Sequence, residues 1–229
     1  MEYGIVIICL TCVIIILRIL FGSSKKQIEA IAENKKLDEL VSKYPDNIDM
    51  CKEYLKILNN ETVAIEEDKQ ATNSLYIAIS NKIIIAGVKD SFTRIQTIAH
   101  ECLHSIQNRK ILLFNFFYSN IYIVYFLLIS VLALFQVLAM KMVFLSILII
   151  GGFVYYFVRS YLENDAMIKA RFLAKEYMEK KKISSKEEIE EIVHAFDKLN
   201  DVGIKTVNFA LFLQIALEII VFCMICLIR

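Results

Sequence analysis

The run ILLFNFFYSNIYIVYFLLISVLALFQVLAMKMVFLSILIIGGFVYYFV, residues 111–158, decides how the rest of the chain is read. One helix crossing the ~30 Å hydrocarbon layer of a bilayer needs about 20 apolar residues, and this run is more than twice that long. Only Lys141 and scattered Ser, Asn and Gln interrupt it. It therefore reads as a hairpin of two membrane spans turning near Met140, Lys141 and Met142. Arg109 and Lys110 precede it and Arg159 follows it. Lys and Arg accumulate on the cytoplasmic flank of spans, so both ends of the hairpin are expected on that side.

Working outward, residues 4–21 are apolar except for Thr11 and Arg18 and form a first span. A cleavable signal peptide is the competing reading, because Gly22, Ser23 and Ser24 are small. Such a peptide carries its positive charge before the apolar core, however, and here the only early charged side chain is Glu2. Arg18, Lys25 and Lys26 come afterwards, which predicts an uncleaved anchor with the amino terminus outside. Residues 207–228 make a fourth span that returns the carboxyl terminus to the outside, with Arg229 against the charge rule. The expected division is span one at 4–21, a cytoplasmic segment at 22–110, the hairpin at 111–158, a second cytoplasmic segment at 159–206 and span four at 207–228. A chain of 229 residues that is 57% hydrophobic fits a multi-pass protein of the cell membrane. A net charge of +1, with no interleaved basic and aromatic patch, gives no support to nucleic-acid binding.

The two hydrophilic segments face the same side in this reading, so they can meet. The first opens with a charged helical pattern at 25–44, passes Pro45 and resumes as a helix at about 47–58. The period then changes. Residues 61–66, 75–80 and 82–86 are rich in Val and Ile and read as two or three short strands, with a turn at Asn81 and Lys82. An edge strand at 75–80 is a candidate for holding an extended peptide by strand addition, with an ordinary structural hairpin as the alternative.

Next comes TIAHECLHSIQ, residues 97–107, on a helix expected from Ser91 to Gln107 with Asp90 or Ser91 as its cap. Phe92, Ile95, Ala99, Cys102, Leu103 and Ile106 recur at helical spacing and form an apolar face. Gln96, His100, His104 and Gln107 line another. Side chains four apart point the same way, so both imidazoles can reach one ion while Glu101 sits beside them. This is the spacing of a His-Glu-x-x-His zinc helix, in which the metal lowers the pKa of a water and the glutamate takes its proton. A catalytic zinc takes a third protein ligand, expected from the other hydrophilic segment, which begins with Tyr161-Leu162-Glu163-Asn164-Asp165-Ala166.

That order of one span, His-Glu-x-x-His followed by Gln, a membrane hairpin, Glu-x-Asp-Ala and a last span resembles the YugP-type neutral zinc metallopeptidases of bacterial membranes. These are similar in layout to the HtpX and CAAX-prenyl-protease group of gluzincins. The likeness covers most of the chain as architecture and is concentrated, as residues, at 100–107 and 163–166. It implies a mainly α, four-span membrane protein with a small cytoplasmic α+β, minigluzincin-like peptidase domain built from two segments. It also implies one zinc ion per chain held by His100, His104 and Glu163, with Glu101 as general base and Asp165 orienting a ligand. Asp165 is the alternative third ligand, because residues two apart on a helix face opposite ways and only one of the two can reach the metal. The family has Gly before its second histidine where this chain has Leu103.

Further features carry weaker signals. His194, within the amphipathic pattern 186–199, is either a surface residue or the donor to the reaction's oxyanion, with Tyr161 and Arg171 as alternative donors. Cys51 and Cys102 are expected as reduced thiols, and Cys9, Cys12, Cys223 and Cys226 either as apolar filler or as two pairs that meet. Glu218 lies mid-span, where a charge costs about 3 kcal/mol, so a protonated carboxyl bonded to Ser130 or Gln136 is expected, or an ion path. Lys180, Lys181 and Lys182 read as a solvated helix end that could touch anionic lipid. The functional expectation is a membrane zinc endopeptidase acting on peptides or proteins associated with the lipid bilayer. The alternative is a catalytically inactive scaffold, or a small transport component, with a vestigial metal site.

Overall fold

The computed structural model describes residues 1–21 and 25–228, and of Lys25 and Lys26 the backbone alone. The small residues Gly22, Ser23 and Ser24 and the terminal Arg229, which bear on the topology, lie outside the described residues, as do the side chains of Lys25 and Lys26. The described chain is mainly helical, in the order α1 (Glu2–Phe21), α2 (Lys25–Ala32), α3 (Lys35–Ser42), α4 (Asn47–Ile57), β1 (Ala64–Asp68), β2 (Leu75–Ile77), β3 (Lys82–Ala86), α5 (Arg94–Ile106), α6 (Arg109–Leu134), α7 (Lys141–Lys181) and α8 (Lys186–Leu227). Contacts divide it into two units. One holds α1, Phe114–Tyr161 and the chain from Lys205 onward; the other holds the chain from α2 to Leu113 together with Leu162–Ile204.

In the first unit, α1, α6, α7 and α8 are each long and apolar enough to cross a membrane. The helices turn between α6 and α7 at residues 135–140, where Gln136 takes φ 57°. Tyr122, Ile129, Leu145, Leu148, Ile219 and Phe222 form the core, and Val6, Ile7 and Leu10 of α1 pack against it. Outward faces stay apolar, as at Ile8, Ile19, Ile121, Val124 and Phe157, as a lipid-facing surface requires. Tyr118 and Tyr125 of α6 donate to the carbonyls of Gly151 and Phe144 on α7, at 3.1 and 3.0 Å. Glu218 accepts from Gln214, one turn earlier on its own helix, at 3.1 Å. This corrects the expected bond to Ser130 or Gln136: a partner four residues back needs no interhelical registration. Cys223 and Cys226 are buried in this core while Cys9 and Cys12 are exposed on α1, all four as free thiols.

The second unit packs α4 and α5 on one face of a small sheet ordered β1-β3-β2, with β1 parallel and β2 antiparallel to β3. Ile83 and Ile85 point into the core from β3. Ala166, Ala170, Leu173, Ala174, Tyr177 and Met178 of α7 and Ile189, Ile192 and Phe196 of α8 complete it. Their three- and four-residue spacing is a single helical stripe each.

Local chemistry sets the element ends. The charged pattern at 25–44 breaks into α2 and α3 because the Asn34 side chain accepts from Leu37 N–H and caps a new helix. Asp46 caps α4 through Asp49 N–H. The first strand begins at Ala64 rather than Glu61, because the preceding residues close α4: Asn59 has φ 53° and Asn60 N–H returns to Leu55 O. The second strand ends at Ile77, and Asn81, at φ 47°, makes the turn into β3. Helix α5 starts at Arg94 instead of Ser91. Ser91 binds Thr93, while Phe92 N–H goes to Asp38, so neither Asp90 nor Ser91 serves as the N-cap. Buried Arg94 donates to Val41 O, Tyr44 O, Pro45 O and the Asn47 side chain, which fixes the start of α5 against α3 and α4.

Candidate metal centre

The two histidines, the acidic residues near them and their hydrogen-bond partners all belong to the second unit. Helix α5 buries Ile95, Ile98, Ala99, Cys102 and Leu103, which turns His100 and His104 toward α7. Leu103 is part of that buried core. Asn60 donates to the Ser105 carbonyl and hydroxyl, at 3.1 and 3.0 Å, and so satisfies a carbonyl at the helix end. Gln96, one turn before His100 on the same helix, donates at 2.5 Å to Asn200 of α8, which donates to Met167 O.

His100 Nε2 and His104 Nε2 lie 3.0 Å apart with their rings edge to face. Glu163 Oε2 is 3.4 Å from the first nitrogen and 3.8 Å from the second. A tetrahedral ion with ligands at about 2.0–2.1 Å separates them by roughly 3.3 Å, and the three edges bracket that value. Two neutral imidazoles and a carboxylate are a donor set suited to zinc, and these three can hold one ion. Asp165 stands apart from the trio. Its Oδ1 is 2.6 Å from Lys169 Nζ, and its Oδ2 accepts from Gln107 Nε2 at 3.1 Å. Burial works against that carboxylate, but Lys169 and Gln107 outweigh it and hold its pKa below the ordinary value.

Gln107 links the parts. Its Oε1 is 2.8 Å from His104 Nδ1, and its Nε2 also donates to Leu162 O at 2.8 Å. For His104, burial favours the neutral ring, yet the facing Glu163 carboxylate together with Gln107 and Glu101 raises its pKa on balance. Glu101 is buried, and its Oε2 accepts from Tyr76 N–H of β2 at 2.7 Å. Burial pushes its carboxyl up, against the pull of both histidines and Tyr76.

Of the residues singled out by sequence, the structure brings together His100, His104 and Glu163, with Glu101 adjacent and Asp165 one hydrogen bond removed through Gln107. His194 is not among them: it is exposed on α8. Arg171 is paired with Asp197 and lies 4.4 Å over the Phe172 ring, so that guanidinium is already engaged. Gln107 was visible as a polar residue on the histidine face and as the Gln of the pattern that carries the resemblance, but with no role attached. Its role depends on Leu162 and Asp165, more than fifty residues away in sequence.

No protein-family profile, curated protein or solved structure matches the chain. Among the described residues stand a mainly helical chain with four membrane-length apolar helices, a small three-stranded sheet and a His/Glu cluster that could bind metal.

Proposed function

We propose that the chain is an integral membrane zinc metallopeptidase of the gluzincin type, with a minigluzincin-like domain and the YugP-type resemblance as its family placement. The observation that carries the reading is the convergence of His100, Glu163 and His104 from segments separated by the membrane hairpin, with Glu101 beside them. His100, His104 and Glu163 would hold the ion, which supplies Lewis-acid polarisation of a water and of the scissile carbonyl. Glu101 accepts the water's proton at its carboxylate and returns it to the leaving amine.

Strand β2 lies at an edge of the sheet, and Tyr76 N–H is spent on Glu101 rather than on a neighbouring strand. An extended peptide added along that edge would run past Glu101, which suits a backbone-reading peptidase. Only Gln107 and Asn108 separate α5 from α6, and Glu163 follows the apolar run by five positions. Membrane or membrane-proximal proteins are therefore the favoured substrates, and Arg109, Lys110 and Arg159 favour a cytoplasmic active site. Glu101→Gln should abolish hydrolysis of quenched-fluorescent peptides by the purified full-length protein while zinc content stays near the wild-type level. Peptide hydrolysis surviving that substitution would end the mechanism, whereas a cellular function that survives it without any hydrolysis would favour the scaffold alternative.

A further inference from the structure

We propose that Gln107 is a positioning residue that fixes His104 as its Nδ1–H tautomer and so reserves Nε2 for the metal. The assignment rests on the metal-site reading above and names a group that this reading does not need.

Leu162 O is a carbonyl and can only accept, so the Gln107 atom 2.8 Å away must be the amide nitrogen. The same nitrogen faces Asp165 Oδ2 at 3.1 Å, and the Lys169 ammonium on the other carboxylate oxygen keeps that group an acceptor. A flipped amide would set its oxygen against two acceptors at once. With the amide fixed, Oε1 faces His104 Nδ1 at 2.8 Å, and an oxygen acceptor there requires a proton on Nδ1. A neutral imidazole carries one ring proton, so the lone pair lies on Nε2, the atom turned to His100 and Glu163. The amide also joins the end of α5 to the turn of α7 that carries Glu163. One side chain thus sets both the protonation of one ligand and the register of another. Asparagine is too short for this span, and glutamate would set a carboxylate oxygen against Leu162 O and Asp165.

The test uses full-length, metal-free protein in detergent with nitrogen-15-labelled histidine and His194→Gln, leaving two imidazoles whose ring nitrogens are read by NMR. Zinc affinity is measured in parallel by competition with a chelating dye. The parent should show the Nδ1–H pattern for His104. Gln107→Leu should lose that preference and bind zinc about 10- to 100-fold more weakly. If the leucine variant fails to fold, Gln107→Met, of similar length and without the amide, takes its place: loss of the Nδ1–H preference supports the assignment and an unchanged Nδ1–H pattern overturns it. An Nε2–H pattern in the parent, or undiminished zinc affinity in a folded Gln107→Leu, also overturns it. A parent with the Nδ1–H pattern but no peptidase activity supports the assignment while refuting the peptidase reading.

Discussion

Glu163 and Asp165 stand two positions apart on α7, which turns their side chains about 200° from each other on a regular helix. One carboxylate can therefore face the histidines, and the other must do something else. Glu163 takes the place beside His100 and His104, while Asp165 is held by Lys169 and Gln107. A residue that acts through another affects metal affinity less than a ligand does. Asp165→Ala should weaken zinc binding by roughly 10- to 100-fold, measured by dye competition, and by clearly less than Glu163→Ala. Equal losses from the two substitutions would contradict this division of roles. The histidine pair was legible in the sequence because a four-residue spacing on a helix implies a shared face whatever lies opposite. The role of Gln107 was not, because its partners become neighbours only after α5 packs on α7.

Helices α7 and α8 extend far beyond the apolar stretches that announce them. Hydropathy marks a boundary near Arg159 and near Val207, yet neither helix stops there. Between Gly152 and Ser184 the chain has no glycine or proline, and the stripe from Ala166 to Met178 gives the polar half of α7 its own core face. A 41-residue helix is about 60 Å long, roughly twice the hydrocarbon thickness. Hydropathy senses burial in lipid, whereas a helix ends where capping or a breaker ends it, so the two boundaries need not agree. The strands show a similar limit. Their β-branched runs were readable, but the parallel pairing of β1 with β3 depends on a crossover that no local period encodes. The turn between α7 and α8 offers a test of orientation. Lys182 is exposed there, so Lys182→Cys, in a background with the native cysteines replaced, should resist a membrane-impermeant thiol reagent in intact cells and react after permeabilisation. Ready labelling from outside would reverse the proposed sidedness.

At the scale of the whole molecule, one core, that of the second unit, is assembled from two stretches of chain interrupted by the apolar run of α6 and the first part of α7. Phe92 stacks on Phe196 with centroids 5.9 Å apart, and Tyr54 meets Tyr177 at 4.8 Å, so each stretch buries aromatic surface against the other. The candidate centre is divided in the same way, with two ligands before the hairpin and one after it. This is what a metallopeptidase reading requires and what a chance pair of helical histidines does not. The most direct test is zinc binding by purified full-length protein, comparing the wild type with His104→Ala and Glu163→Ala. The account predicts one zinc per chain in the wild type and severe loss in both variants, the carboxylate from beyond the hairpin mattering as the histidine does. Zinc bound by Glu163→Ala with wild-type stoichiometry and affinity would contradict it.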